Sequence, residues 1–194
     1  MFPDGEFGTE VPGRGWFSVR RASPGDIAAM HPIGLSEIGS GIASPQAVQR
    51  VQDHNRDSVW MILHREKSLA DVPVMKGFWA FLMLKEEGVA ALRNGELDPL
   101  DPDLALIHVS GIRPAALYIW AIVARRLMAY TLNPIARALG KQIYGGVPLI
   151  SVAATLGGEQ SLLGFGFTPI EPRVRPTSPR LFILGQADTA VART

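Results

Sequence analysis

Cysteine is absent from the 194 residues. Disulfides, thiolate nucleophiles and cysteine-ligated zinc or iron–sulfur centres are therefore excluded. An excess of charge of one sign is also missing. Lys and Arg total 19, Asp and Glu total 18, and the formal net charge is +1. No strong field follows, so nothing points to nucleic acid as a partner. Long apolar runs are lacking too. The most apolar stretch runs from Ala115 to Ala124 and stops at Arg125 and Arg126. It is about half the roughly 20 residues that a membrane span needs. The opening MFPDGEFGTEVPGRGW is polar and Gly-rich, without the basic start and apolar core of a secretory leader. The expectation is a soluble, cytoplasmic protein that does not engage a membrane.

What is present suits a folded domain. The hydrophobic fraction is 47% and the charged fraction 19%, which argues against disorder. The 20 glycines and 15 prolines are many for a helical bundle and suit a mixed fold with many turns. The length predicts one domain, residues 15–194, behind a flexible tail at 1–14. No internal repeat or low-complexity segment is seen, and Pro172 to Pro179 reads as a basic, Pro-rich connector.

Local signals predict the elements. Trp16–Arg21 reads as a strand. Ser23-Pro24-Gly25-Asp26 combines an N-cap, a preorganised first helical residue and an acidic first turn. A helix is expected from Pro24 to about Met30, stopped before Pro32. Ser44-Pro45 opens a second helix to about Asp53. Val59–Leu63 and Gly77–Leu84 are strands, the latter apolar enough to be covered on both faces. Glu86–Leu92 is a short helix. Leu104–Val109 is read as the next strand, and Pro114 as the start of a long helix, Ala115 to about Tyr130. Ile135–Leu139 continues it after Asn133-Pro134, with Gly140 as the cap. Val147–Ala153 is a strand, Gly158–Leu163 a helical turn, and Leu181–Leu184 a last strand. The expected fold is an α/β (α+β) mixed sheet of six to seven strands with helices on both faces.

The order resembles the GNAT superfamily of N-acetyltransferases over residues 16 to 185. Phe17 to Ile27 is similar to the family's opening strand and helix, I-R-x-A-x-x-x-D. Lys76-Gly77-Phe78-Trp79-Ala80-Phe81-Leu82 resembles its third strand. Leu104–Val109 would be the fourth, and Val147 to Phe167 looks like the fifth strand, fourth helix and closing G-F. The family's phosphate signature, [RQ]-x-x-G-x-[GA], is matched at Arg113 alone. Ala116 and Tyr118 replace its small residues, and Pro114 removes a donor. Leu162 or Leu163 stands where the family often has a tyrosine acid. An alternative register puts the fourth strand at Ala116–Val123. It would bring Arg125 and Arg126 to the phosphate turn and deprive His108 of its role.

The resemblance implies the sites. His108, within the apolar segment, would be the catalytic base, since a neutral imidazole near pH 7 takes a proton from an amine. The plainer reading is a hydrogen-bonded sheet-face histidine. Val109, Ser110, Gly111 and Ile112 would line the pantetheine arm of acetyl-CoA or another acyl-CoA. Arg113, Ala115 and Ala116 would face its phosphates, and Ser151 its arm. Ser36 and Glu37, in the Gly-rich loop between the first helices, and Thr155 would meet the acceptor. His54 and Asp57 lack a third ligand, so no metal is expected. The implied function is acyl transfer from acyl-CoA to a small-molecule or peptide amine by direct attack in a ternary complex. The alternatives are a non-catalytic ligand- or partner-binding protein and an acyltransferase that uses a carrier-protein donor. A homodimer face on Ala115–Tyr130 is a further expectation.

Overall fold

The computed structural model describes residues 5–124, 127–140, 144–153, 156–170 and 180–185. Its elements run β1 (Phe7–Val11), β2 (Gly15–Arg21), α1 (Pro24–Ile38), α2 (Pro45–His54), β3 (Val59–Arg65), β4 (Val74–Leu84) and α3 (Glu86–Asn94). After a 3-10 turn at Leu104–Leu106 come β5 (Ala116–Val123), α4 (Met128–Leu139), β6 (Leu149–Ala153), α5 (Leu156–Gly164), β7 (Thr168–Pro169) and β8 (Arg180–Leu184). The strands form one mixed sheet of eight, in the order β1-β2-β3-β4-β5-β6-β8-β7. Every neighbouring pair is antiparallel except β5 and β6, which are parallel. The strand count exceeds the expected six to seven because β1 and the two-residue β7 both pair.

Strand periodicity sends side chains to two covered faces. Val59, Met61 and Leu63 of β3 pack with Ile27 and Met30 of α1. Trp60 and Ile62 join the larger core on the other face, which includes Ile135 of α4. There the indole N–H of Trp79 donates to the Thr131 hydroxyl of α4 at 3.1 Å. Trp60, Phe81 and Phe182 are fully buried. Each such ring contributes about 1.5–3 kcal/mol by leaving water.

Four expectations are corrected. α1 does not stop before Pro32 but runs on to Ile38 with Pro32 inside it. The N–H missing at Pro32 would have bonded the carbonyl of Ala28, an exposed residue. Leu104–Val109 is not a strand. It makes one 3-10 turn and a single bridge, Ile107 to Leu84. Ala116–Val123 is not the start of a long helix but the central strand β5. An apolar run of eight is too short to tell buried strand from buried helix by period, and here cross-strand partners on β4 decide. Residues 7–11 are not tail but β1, paired with β2 from Phe7 opposite Val19 to Val11 opposite Gly15. The connector at 172–179 lies outside the described residues.

The start of α1 is firmly fixed. Asp26 and Ser23 form a reciprocal capping box. Arg20 adds a two-pronged contact to the Asp26 carboxylate at 2.7 and 3.0 Å. The Arg20 guanidinium, helped by Ser23, holds that carboxyl down at about 2. At the sheet's other end, Arg65 and Glu6 form an ion pair whose side chains are 4% and 7% exposed. Burial alone would raise the Glu6 carboxyl. Hydrogen bonds from Arg65 and Ser18 outweigh it and leave the group below its ordinary value.

Candidate functional site

Two features meet at the middle of the sheet. The first is a gap between the parallel strands. Leu117 pairs with Leu149 and Tyr118 with Ile150, and the Leu117 N–H donates to the Pro148 carbonyl at 2.9 Å. Among the described residues no further register pair joins β5 to β6, although β5 continues to Val123 and β6 to Ala153. The strands are joined at their N-terminal ends and separate beyond them. Beyond Tyr118, no described strand pairs with that edge of β5. Ser151 lies on the opposite arm, buried and paired on its far side with Phe182.

The second feature is a bulge within the separated part of β5. Ala80 of β4 faces Ala121, but Phe81 faces Ile119, so Trp120 is the extra residue. Strict alternation would send Trp120 and Ala121 to opposite faces. The bulge instead puts both on one cavity of about 90 Å³. β4 supplies Phe78 and Ala80 to its floor, and α1 supplies Ile27, Met30, His31 and Ile38. The loop after α1 and the start of α2 close it with Ile42, Pro45 and Val48. The Trp120 indole is fixed by its N–H, which donates to the Pro99 carbonyl at 2.7 Å.

Two backbone approaches hold this geometry. A β-carbon at Gly77 would overlap the Val123 carbonyl, so β4 needs glycine where the end of β5 crosses it. A β-carbon at Gly34 would press on Ile42 at 3.0 Å and Phe78 at 3.4 Å, both cavity residues. From Val123 the chain reaches α4 within four residues. The N-cap of α4 is Leu127, which makes no side-chain capping bond. Arg125 and Arg126 precede it in sequence. Burial pushes the Tyr118 phenol, at the last β5–β6 pair, up to about 12. It is a proton donor and not a base near neutral pH.

The sequence-predicted residues divide between the two ends of β5. His108 lies on the loop before β5, not on a strand. Its N–H donates to the Met83 carbonyl at 2.8 Å, and its own carbonyl accepts from Asn55 Nδ2 at 2.8 Å. Ser110 accepts from the Arg56 N–H at 2.7 Å and donates to Asn55 Oδ1 at 3.3 Å. The turn between α2 and β3 thus clamps this loop. Val109, Gly111, Ile112 and Arg113 are exposed on it. Ala115 donates its N–H to Leu84, and Ala116 is buried opposite Leu84. All of these lie toward the joined end of β5 and β6, away from the gap. The strand expected to precede residues 109–113, 115 and 116 is corrected: β5 follows that loop and begins at Ala116. Ser36 and Glu37 are exposed on the last turn of α1, beside the cavity residue Ile38. The Ser36 hydroxyl donates to Ile33 at 2.9 Å. Thr155 lies outside the described residues.

The missed residue is His31. A signal existed: Ile27, Met30, His31, Gly34 and Ile38 fall at helical spacing on one face. Stopping the helix at Pro32 hid it. His54 and Asp57 are structural. His54 Nε2 lies 3.0 Å from the Ile107 carbonyl, and Asp57 accepts from Arg21 and from the Tyr144 hydroxyl, each at 2.8 Å. Burial and the bond to Asp57 push the Tyr144 phenol well above its ordinary value. Among the described residues no group of three His, Cys, Asp or Glu converges on a metal position. No described helix is long and apolar enough to cross a membrane. No protein-family model matches the chain, and no curated protein matches it.

Proposed function

We propose that the protein is an acyltransferase of the GNAT type, which moves an acyl group from acyl-CoA to an amine by direct attack. The observation that carries this reading is the gap between β5 and β6, two parallel strands joined, among the described residues, through two residue pairs. An extended amide-bearing arm, such as that of CoA, is the ligand such a gap suits. Its amides replace the missing strand and pair with the free edge of β5. The start of α4 follows directly from β5, and its first N–H groups carry no side-chain cap. That is the setting in which helix N-termini hold phosphate. With β5 as the fourth strand, the signature [RQ]-x-x-G-x-[GA] is read from Arg126 instead of Arg113. Ala129 and Thr131 then take the small positions.

In this reading the thioester lies along the bulged arm of β5 and the amine comes from the cavity on the α1 side. The amine nitrogen bonds to the carbonyl carbon, the carbon–sulfur bond breaks, and the thiolate leaves and takes a proton. Backbone N–H groups of the separated strand polarise the carbonyl. Holding both reactants supplies a large part of the rate. His108 has no part, since it sits on the clamped loop before β5.

The test is thermal unfolding with CoA and acetyl-CoA, followed by thiol release from acetyl-CoA with a panel of amines. A ligand bound only to the folded protein raises the midpoint by mass action. The chain has no cysteine, so a thiol reagent reads only the released CoA. A concentration-dependent rise and amine-dependent thiol release are expected. No rise at millimolar CoA or acetyl-CoA would overturn the reading.

A further inference from the structure

The cavity on the α1 side carries a chemical bias that acyl transfer does not itself dictate. Among its described lining residues, His31 is the single titratable group, and no carboxylate is among them. A second ammonium or a guanidinium brought into it would stand desolvated and unpaired, which is strongly unfavourable. The one indole N–H in the wall is already bonded, to the Pro99 carbonyl at 2.7 Å. Most of the rest of the wall is apolar, from residues such as Ile27, Met30, Ile42, Val48 and Phe78.

We infer that the acceptor is an aliphatic amine with a single nitrogen. Its hydrocarbon fills the cavity and its nitrogen meets the imidazole of His31. The role as acceptor rests on the acyl-transfer reading; the ligand class rests on the cavity alone. A neutral imidazole accepts the proton that the amine gives up as its nitrogen bonds to the acyl carbon. The proton then passes to the departing thiolate, so the imidazole ends as it began.

The experiment is calorimetry on the full chain with 3-methylbutylamine, spermidine and a lysine-containing peptide, alongside the midpoint response to CoA. 3-Methylbutylamine should bind at least tenfold more tightly than the other two. Val48→Phe, which fills the cavity from α2, should weaken it at least tenfold and leave the CoA response intact. Ala43→Leu, entering from the neighbouring loop, makes the same test if the first variant does not fold. Equal or tighter binding of spermidine or the peptide would overturn the inference. So would unchanged affinity for the branched amine in the filled variants. A CoA response without branched-amine binding overturns the ligand class alone. Branched-amine binding without a CoA response keeps the ligand class and removes the acyl-transfer reading. His31→Gln should cut thiol release at least tenfold. Undiminished thiol release would overturn the role of His31.

Discussion

Replacing Asp26 by Ala tests whether the wall of the cavity is anchored as described. Asp26 closes the capping box of α1, the helix that carries His31, and receives Arg20 at 2.7 and 3.0 Å. Its carboxyl is lowered from 3.8 to about 2. At about 1.36 kcal/mol for each pH unit, that gap sets a ceiling of about 2.4 kcal/mol. The Arg20 side chain is 35% exposed, so water screens part of it. We expect Asp26→Ala to lose about 2 kcal/mol at pH 7, the lost cap included. The sign follows from the lowered value. The charged carboxylate stabilises the fold above its unfolded value, near 3.8, and this is lost as pH falls through about 2. The gap between wild type and variant should therefore shrink to about 0.5 kcal/mol near pH 2. Urea unfolding followed by far-ultraviolet circular dichroism at pH 7, 5 and 2 measures it. A loss below about 0.5 kcal/mol at pH 7 would refute the reasoning. So would a loss that does not change with pH.

Arg65→Ala leaves the buried Glu6 carboxylate without its cation and should cost about 3–5 kcal/mol in chemical denaturation. Arg65→Met together with Glu6→Leu should recover most of that loss, because it removes both charges. Asn55→Ala breaks the clamp on the loop before β5 and should cost about 2 kcal/mol. Hydrogen exchange should rise at the amide of His108 and its neighbours, with β3 unchanged. His108→Ala should leave the CoA midpoint response and any thiol release within twofold of wild type. A tenfold loss in a folded protein would return His108 to the site.

The local elements were legible wherever a short-range rule governs them. Ser23-Pro24-Gly25-Asp26 and Ser44-Pro45 start α1 and α2 as their capping chemistry requires. Val59–Leu63 and Gly77–Leu84 are rich in β-formers and become β3 and β4. Gly140 ends α4 with φ 75°. The misreadings fall where short-range rules are silent. Ala115–Ala124 has the composition of a buried helix and of a buried strand alike, and only pairing with β4 and β6 chooses between them. Phe7–Val11 is a half-exposed strand whose stability comes from β2 and α4.

The sequence by itself determined the mixed α/β class and the ends of several elements. Those follow from composition, capping and side-chain period, which act over a few residues. It also determined that no cysteine chemistry is available. Tertiary structure decided the site. The β5–β6 gap depends on where two strands far apart in sequence cease to pair. The bulge at Trp120 is defined only against β4. His31 lines the cavity because α1 continues through Pro32. Such features arise from contacts between distant segments, whose free energies no local window of sequence contains.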